Sequence, residues 1–156
     1  GQFCHAYCTY CFRWAQFSSV GSEQPFKSRS RTLLADYVRL HPDVTDVLFT
    51  GGDPMVMPTR ILAEYITPLL PRSGGPSNLA TIRIGTKSLA WWPDRFLGAG
   101  DAKHLLELFT ETVASGLHLT IQAHFSHPRE LLDPKTRAAI RAVRSTGAII
   151  RCQAPL

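Results

Sequence analysis

Three of the chain's four cysteines, Cys4, Cys8 and Cys11, fall within eight positions, in the stretch CHAYCTYCFRW. Thiolates are soft ligands for zinc, copper(I) and iron–sulfur clusters. A structural zinc site usually takes four protein ligands, so zinc here would have to recruit His5 or Cys152. A cubane 4Fe–4S cluster normally takes four thiolates. Three would leave one iron open to a ligand or substrate. Spacings of four and three residues let one tight loop bring its thiolates to a single centre. Plain buried or redox-active cysteines are a third reading of the same residues.

Other groups fit to do chemistry stand after short apolar runs. Residues 46–50, 81–86, 119–125 and 148–153 read as strands buried on both faces or nearly so. Helical spacing follows in Leu33, Leu34, Tyr37 and Val38, in Ile61, Leu62, Tyr65, Ile66 and Leu69, and in Leu105, Leu106, Phe109 and Val113. A fourth helix is expected in TRAAIRAVRSTG, stopped by Gly147. Strands alternating with helices mean an α/β domain with a parallel sheet and outer helices. Periodicity leaves barrel and open sheet undecided, but either places ligands beyond the carboxyl ends of the strands. There lie Gly51, Gly52 and Asp53, then Lys87, then His124 and His127, then Gln153. Residues 18–31 and 71–78 read as loops.

Bulk properties narrow the setting. The 156 residues suffice for one domain, and both ends read as cut from a longer chain. The net charge of +5 comes from thirteen arginines and four lysines. The basic residues are scattered, with one short KSRSR cluster at 27–31, so nucleic acid is not the expected partner. No 18-residue apolar run suggests a membrane span. No export signal or disulfide pattern is visible, and a reducing cytoplasm is expected.

With the strand-end residues in view, CHAYCTYC resembles the CxxxCxΦC motif of radical S-adenosylmethionine (SAM) enzymes, with Tyr10 at the aromatic position. FTGGDPM resembles the SGGDxL segment of the lysine 2,3-aminomutase branch. IRIGTKSLAWWPDRF resembles its RIGxRxPxxxPxRI segment, IQAHFSHPREL its xTHFNHPxEx segment, and TRAAIRAVRSTGAIIRCQ its segment ending in NQ. Order and gaps agree from residue 4 to residue 156, covering the central part of such an enzyme.

The resemblance implies a partial TIM-like (βα)6 barrel. It implies that Cys4, Cys8 and Cys11 bind a 4Fe–4S cluster, with SAM chelating the open iron. Tyr10, Gly51, Gly52, Asp53, His124 and Gln153 would contact SAM, and Arg13 would hold the carboxylate of an amino acid substrate. Reductive cleavage of SAM would start hydrogen abstraction from that substrate, followed by 2,3-migration of its amino group. An electron donor is implied as a partner, and a homo-oligomer is left open. Pyridoxal phosphate (PLP) is implied by kinship only, since none of Lys27, Lys87, Lys103 or Lys135 matches its anchoring lysine. Phe12 and Trp14 depart from the small or basic residues of the family, which leaves the substrate undetermined. A different radical SAM reaction, or a zinc-stabilised binding module, are the alternatives. Arg83 and Lys87 are expected to meet anionic groups, Trp91 and Trp92 to pack, and Cys152 to be a buried apolar residue and not a fourth ligand.

Overall fold

A computed structural model describes residues 3–13, 30, 33–98 and 100–153. The loop expected at 18–31 lies outside the described residues except Ser30, as do Trp14 and Lys27. The described elements run α1 (Leu33–Leu40), β1 (Asp46–Phe49), α2 (Thr59–Ile66), β2 (Thr81–Thr86) and the single turn α3 (Ser88–Trp91). They continue with α4 (Ala102–Ala114), β3 (His118–His124), α5 (Pro134–Ser145) and β4 (Ile149–Gln153). Each of the four expected strands and helices is present.

The strands form one parallel sheet in the order β1-β2-β3-β4. Sequential parallel neighbours joined by helices are the βα arrangement that the alternation requires. Register puts Val47 beside Ile82 and Leu119, and Ile84 beside Ile121 and Ile150. This apolar face packs on Leu62 and Ile66 of α2, Leu105 and Phe109 of α4, and Ala139 and Val143 of α5. Those helix positions recur at spacings of four, the helical period that puts one stripe against the sheet.

The expectation of strands buried on both faces is corrected. In β2 buried residues alternate with half-buried ones, and β4 is largely exposed. Successive side chains point to opposite faces. The second face therefore carries Arg83, Gln122, His124, Arg151 and Gln153 together with the exposed Leu48 and Ile149, and it mixes polar and apolar groups. Among the described residues no helix covers it.

Local chemistry sets the element ends. Asp133 caps α5, its carboxylate accepting from the Thr136 amide at 2.7 Å. Gly147 follows α5 with φ 88°, a left-handed conformation that glycine adopts without steric cost. Arg95 is almost wholly buried. It donates to the carbonyls of Met55 (2.9 Å) and Met57 (3.2 Å) and to Asp101 (2.6 Å). Asp101 in turn accepts from the Thr59 amide at 2.6 Å. This pair ties the start of α2 to the start of α4, and so fixes the turn after β1 against the sheet.

Candidate functional site at the strand ends

The cysteine loop lies across the carboxyl ends of β1, β2 and β3. It begins where the Asp53 amide donates to the Phe3 carbonyl at 3.0 Å. It turns where the Cys11 amide donates to the Cys8 carbonyl at 3.0 Å. Tyr7 has φ 42°, unusual for a residue with a side chain, and stands exposed. Cys4, Cys8 and Cys11 are free, half-buried thiols.

The glycines after β1 serve this loop. A Cβ on Gly52 would lie 1.9 Å from the Phe3 carbonyl oxygen, so the close approach of the two backbones requires glycine. Gly51 has φ 123° and lets the chain turn sharply out of the strand.

Asp53, a residue expected to contact SAM, is a buried junction among protein donors. Its carboxylate accepts from the Met55 amide (2.9 Å), Thr86 Oγ1 (2.7 Å), the Lys87 amide (2.9 Å) and Ser88 Oγ (3.2 Å). His5 Nε2 stands 3.1 Å from the same group and 3.2 Å from Ser88 Oγ. Burial alone would raise the Asp53 pKa. The bonds from His5, Thr86 and the Met55 and Lys87 amides outweigh it and hold the carboxyl below its ordinary range.

The other end of the loop is tied to the end of β3. Tyr10 stacks on His124, with 5.4 Å between ring centres, and its hydroxyl bonds His124 Nε2 at 3.0 Å and Ser126 Oγ. Partial desolvation raises the Tyr10 pKa, and Cys8 and Glu130 push it the same way against the Ser126 bond. Burial lowers the pKa of His124, the Lys87 ammonium adds to this, and Glu130 opposes it. The neutral form of His124 is thereby favoured.

Lys87, expected to meet an anionic group, is buried and meets a carboxylate of the protein itself. Its ammonium donates to Ser126 Oγ at 2.6 Å and to Glu130 at 3.1 Å, and lies 5.9 Å from the Trp91 ring centre. Arg83 is likewise paired with Asp46 at 2.7 Å. His127 caps the turn after β3, its Nδ1 accepting from the Arg129 amide at 3.1 Å.

Three further placements correct or extend the sequence reading. Cys152 is exposed, because it follows Ile150 on a strand end that no described helix covers. Trp91 and Trp92 are substantially exposed and do not pack into the core; Trp92 meets His5 edge-on, 6.2 Å between ring centres. Gln153 sits beside His124 in register and its carbonyl accepts from the Phe125 amide at 3.2 Å. Arg13 lies with its guanidinium 5.1 Å from the Phe12 ring centre.

The donor chemistry fits an iron–sulfur cluster or zinc: three free thiols on one loop, none in a disulfide. Among the described residues no three His, Cys, Asp or Glu side chains converge closely enough to hold a metal ion.

No protein-family model matches the chain. Among curated proteins, a "Putative L-lysine 2,3-aminomutase" of Aquifex aeolicus (strain VF5) is 36% identical over 98% of this chain. The L-lysine 2,3-aminomutase of Clostridium subterminale is 27% identical over 86% of it, and the glutamate 2,3-aminomutase of Clostridioides difficile (strain 630) 25% identical over 98%. Over this segment the chain belongs to the lysine 2,3-aminomutase-like family. The chain spans 38%, 29% and 32% of the lengths of those three relatives. No described helix is long and apolar enough to cross a membrane.

For an aminomutase-like chain, the residues missed in the sequence are the ones that hold the loop. His5, Ser88 and Ser126 carry its side-chain bonds, and Glu130 holds Ser126 and Lys87 behind them. The available signal was position: Ser88 and Ser126 each stand two residues past a strand end, where the sheet's ligand edge lies.

Proposed function

We propose that this chain is the core segment of a radical SAM enzyme that abstracts hydrogen from an amino acid and moves its amino group between neighbouring carbons. The observation that carries this reading is the cysteine loop, bonded to the ends of three successive parallel strands through Phe3, His5 and Tyr10. Cys4, Cys8 and Cys11 would hold three irons of a 4Fe–4S cluster within a partial (βα)6 barrel. Such a cluster, with SAM bound, would supply one-electron chemistry for hydrogen abstraction.

The chain's own residues bind, orient and exclude water. The Asp53 junction fixes the start of the loop and the Gly51–Gly52 turn. Tyr10, His124 and Gln153 offer a stacking ring and hydrogen-bonding groups for SAM. Arg13 offers a planar fork for a substrate carboxylate. The relatives are named for lysine and for glutamate, so the amino acid is open between cationic and anionic side chains. PLP use follows from kinship alone, because Lys87 is committed to Glu130 and no anchoring lysine is matched. An external one-electron donor and a reducing, cytoplasmic setting complete the proposal.

Anaerobic reconstitution of the full-length protein with iron and sulfide tests it. A brown protein that cleaves SAM when reduced supports the reading. A colourless protein that holds one zinc per chain and cleaves no SAM overturns it in favour of a zinc-stabilised binding module.

A further inference from the structure

Lys87 meets Ser126 and Glu130 with an ammonium that has three protons and no lone pair, so every bond it makes is a donation. Ser126 Oγ must therefore accept from Lys87. Its own proton is left to donate. Among the described residues, the other partner of Ser126 Oγ is the Tyr10 hydroxyl. Tyr10 in turn meets His124 Nε2 at 3.0 Å. If every proton is used, the bonds run in one direction: Lys87 to Ser126, Ser126 to Tyr10, Tyr10 to His124 Nε2. In the reverse order the Ser126 proton, on the exposed side of the network, would be left to solvent instead of a protein acceptor. Glu130 holds the head of the chain in place, accepting from Lys87 and, at 2.8 Å, from the Ser126 amide.

Neutral imidazole carries one N–H. With Nε2 accepting, that proton is on Nδ1.

We infer that Lys87 is a positioning residue that fixes the tautomer of His124 through Ser126 and Tyr10, so that His124 presents Nδ1–H as a donor at the strand-end site. Lys87 thus acts at both ends of the cysteine loop: its amide holds Asp53 beneath His5, and its ammonium orders Tyr10. On the functional reading proposed above, this donor serves an oxygen or nitrogen acceptor of bound SAM.

The tautomer is read directly by two-bond proton–nitrogen correlation spectra of ¹⁵N-histidine-labelled, metal-free full-length protein at pH 7.5. Wild-type protein should show His124 as the Nδ1–H form. Ser126→Ala, which breaks the chain while leaving the Lys87–Glu130 pair, should shift His124 to a mixture. Lys87→Met should do the same, and Lys87→Arg, still donor-only, should keep the wild-type spectrum. With SAM bound to reconstituted protein, Ser126→Ala should weaken its Kd about five- to tenfold, the size of one misdirected hydrogen bond. An Nε2–H form in the wild type overturns the inference, and so does a Ser126→Ala spectrum identical to wild type. A wild-type protein with the Nδ1–H form and no SAM binding would sink the functional reading and leave the tautomer assignment supported.

Discussion

Gly52 and Phe3 touch backbone to backbone: there is no room for a Cβ on Gly52 beside the Phe3 carbonyl, and the next amide, that of Asp53, bonds that same carbonyl. The turn after β1 and the entry to the cysteine loop are therefore one unit. The glycine pair, which in sequence suggests room for a ligand, makes room for the protein's own loop.

Gly52→Ala should accordingly displace the loop and leave the sheet. A Cβ 1.9 Å from a carbonyl oxygen cannot be accommodated without moving one backbone. The expected cost is about 1–3 kcal/mol, as for other overpacked sites. Circular dichroism should report native secondary structure, while iron uptake on reconstitution falls several-fold. Iron uptake and melting temperature both equal to wild type would show that the loop docks elsewhere.

The Arg95–Asp101 pair predicts a large and pH-dependent stability effect remote from the cysteine loop. Arg95 is buried against two carbonyls, and burial pulls its pKa down while Asp101 opposes this. Arg95→Met strands those carbonyls and leaves Asp101 without its cation. The expected loss is about 3 kcal/mol, read by urea unfolding. A loss under 1 kcal/mol would show the pair to be dispensable.

Asp101 itself gives the acid limb. Burial would raise its pKa, but the Thr59 bonds and the Arg95 charge leave it below the ordinary value of 3.8. A depressed folded pKa contributes stability at pH values above that of the unfolded chain. The contribution is lost as pH falls below about 3.8 through the folded value. The stability gap between wild type and Asp101→Asn should therefore be constant from pH 7 to 5 and shrink below pH 4. A gap that widens on acidification would contradict the assignment.

Gly147 makes a local test of helix termination. Its φ of 88° disfavours any side chain, and a Cβ there would meet Val113 Cγ1 at 2.9 Å. Gly147→Ala should cost about 1–2 kcal/mol from conformation alone. Adding Val113→Ala should relieve only the contact part, leaving most of the loss in a double-mutant cycle of melting curves.

Much of the scaffold was legible because its signals are local. The run TIRIGT has alternating burial and is a strand over Thr81–Thr86. The stop at Gly147 is a property of one residue. The strand-end location of Asp53, Lys87, His124 and Gln153 followed from βα alternation, which fixes which residues follow each strand. What those side chains bond was not legible. Asp53 and Lys87 look like ligand groups in sequence, yet their partners lie 30 or more positions away in Thr86, Ser88, Ser126 and Glu130. Spacing along one segment carries no record of such pairings. Cys152 was misread for a related reason. A small residue in an apolar run suggests burial, but its exposure depends on what covers the end of β4.

The sharpest division among the cysteines concerns Cys8 and Cys152. Cys8 lies inside the loop, bonded through its carbonyl to the Cys11 amide, two residues before Tyr10, which meets His124 at the end of β3. Cys152 lies on β4, beside Ala123 in register and on the sheet face opposite Gln153 and His124. The loop thiols share one short segment, whereas Cys152 would have to reach from the other face of the sheet. Cys8→Ala should therefore abolish the cluster absorbance and SAM cleavage after anaerobic reconstitution. Cys152→Ala should retain both at wild-type levels, with iron per chain unchanged. Equal loss from the two substitutions would make Cys152 a ligand and refute the three-thiolate assignment. Retention of iron by Cys8→Ala, with loss of zinc instead, would move the site to the zinc alternative.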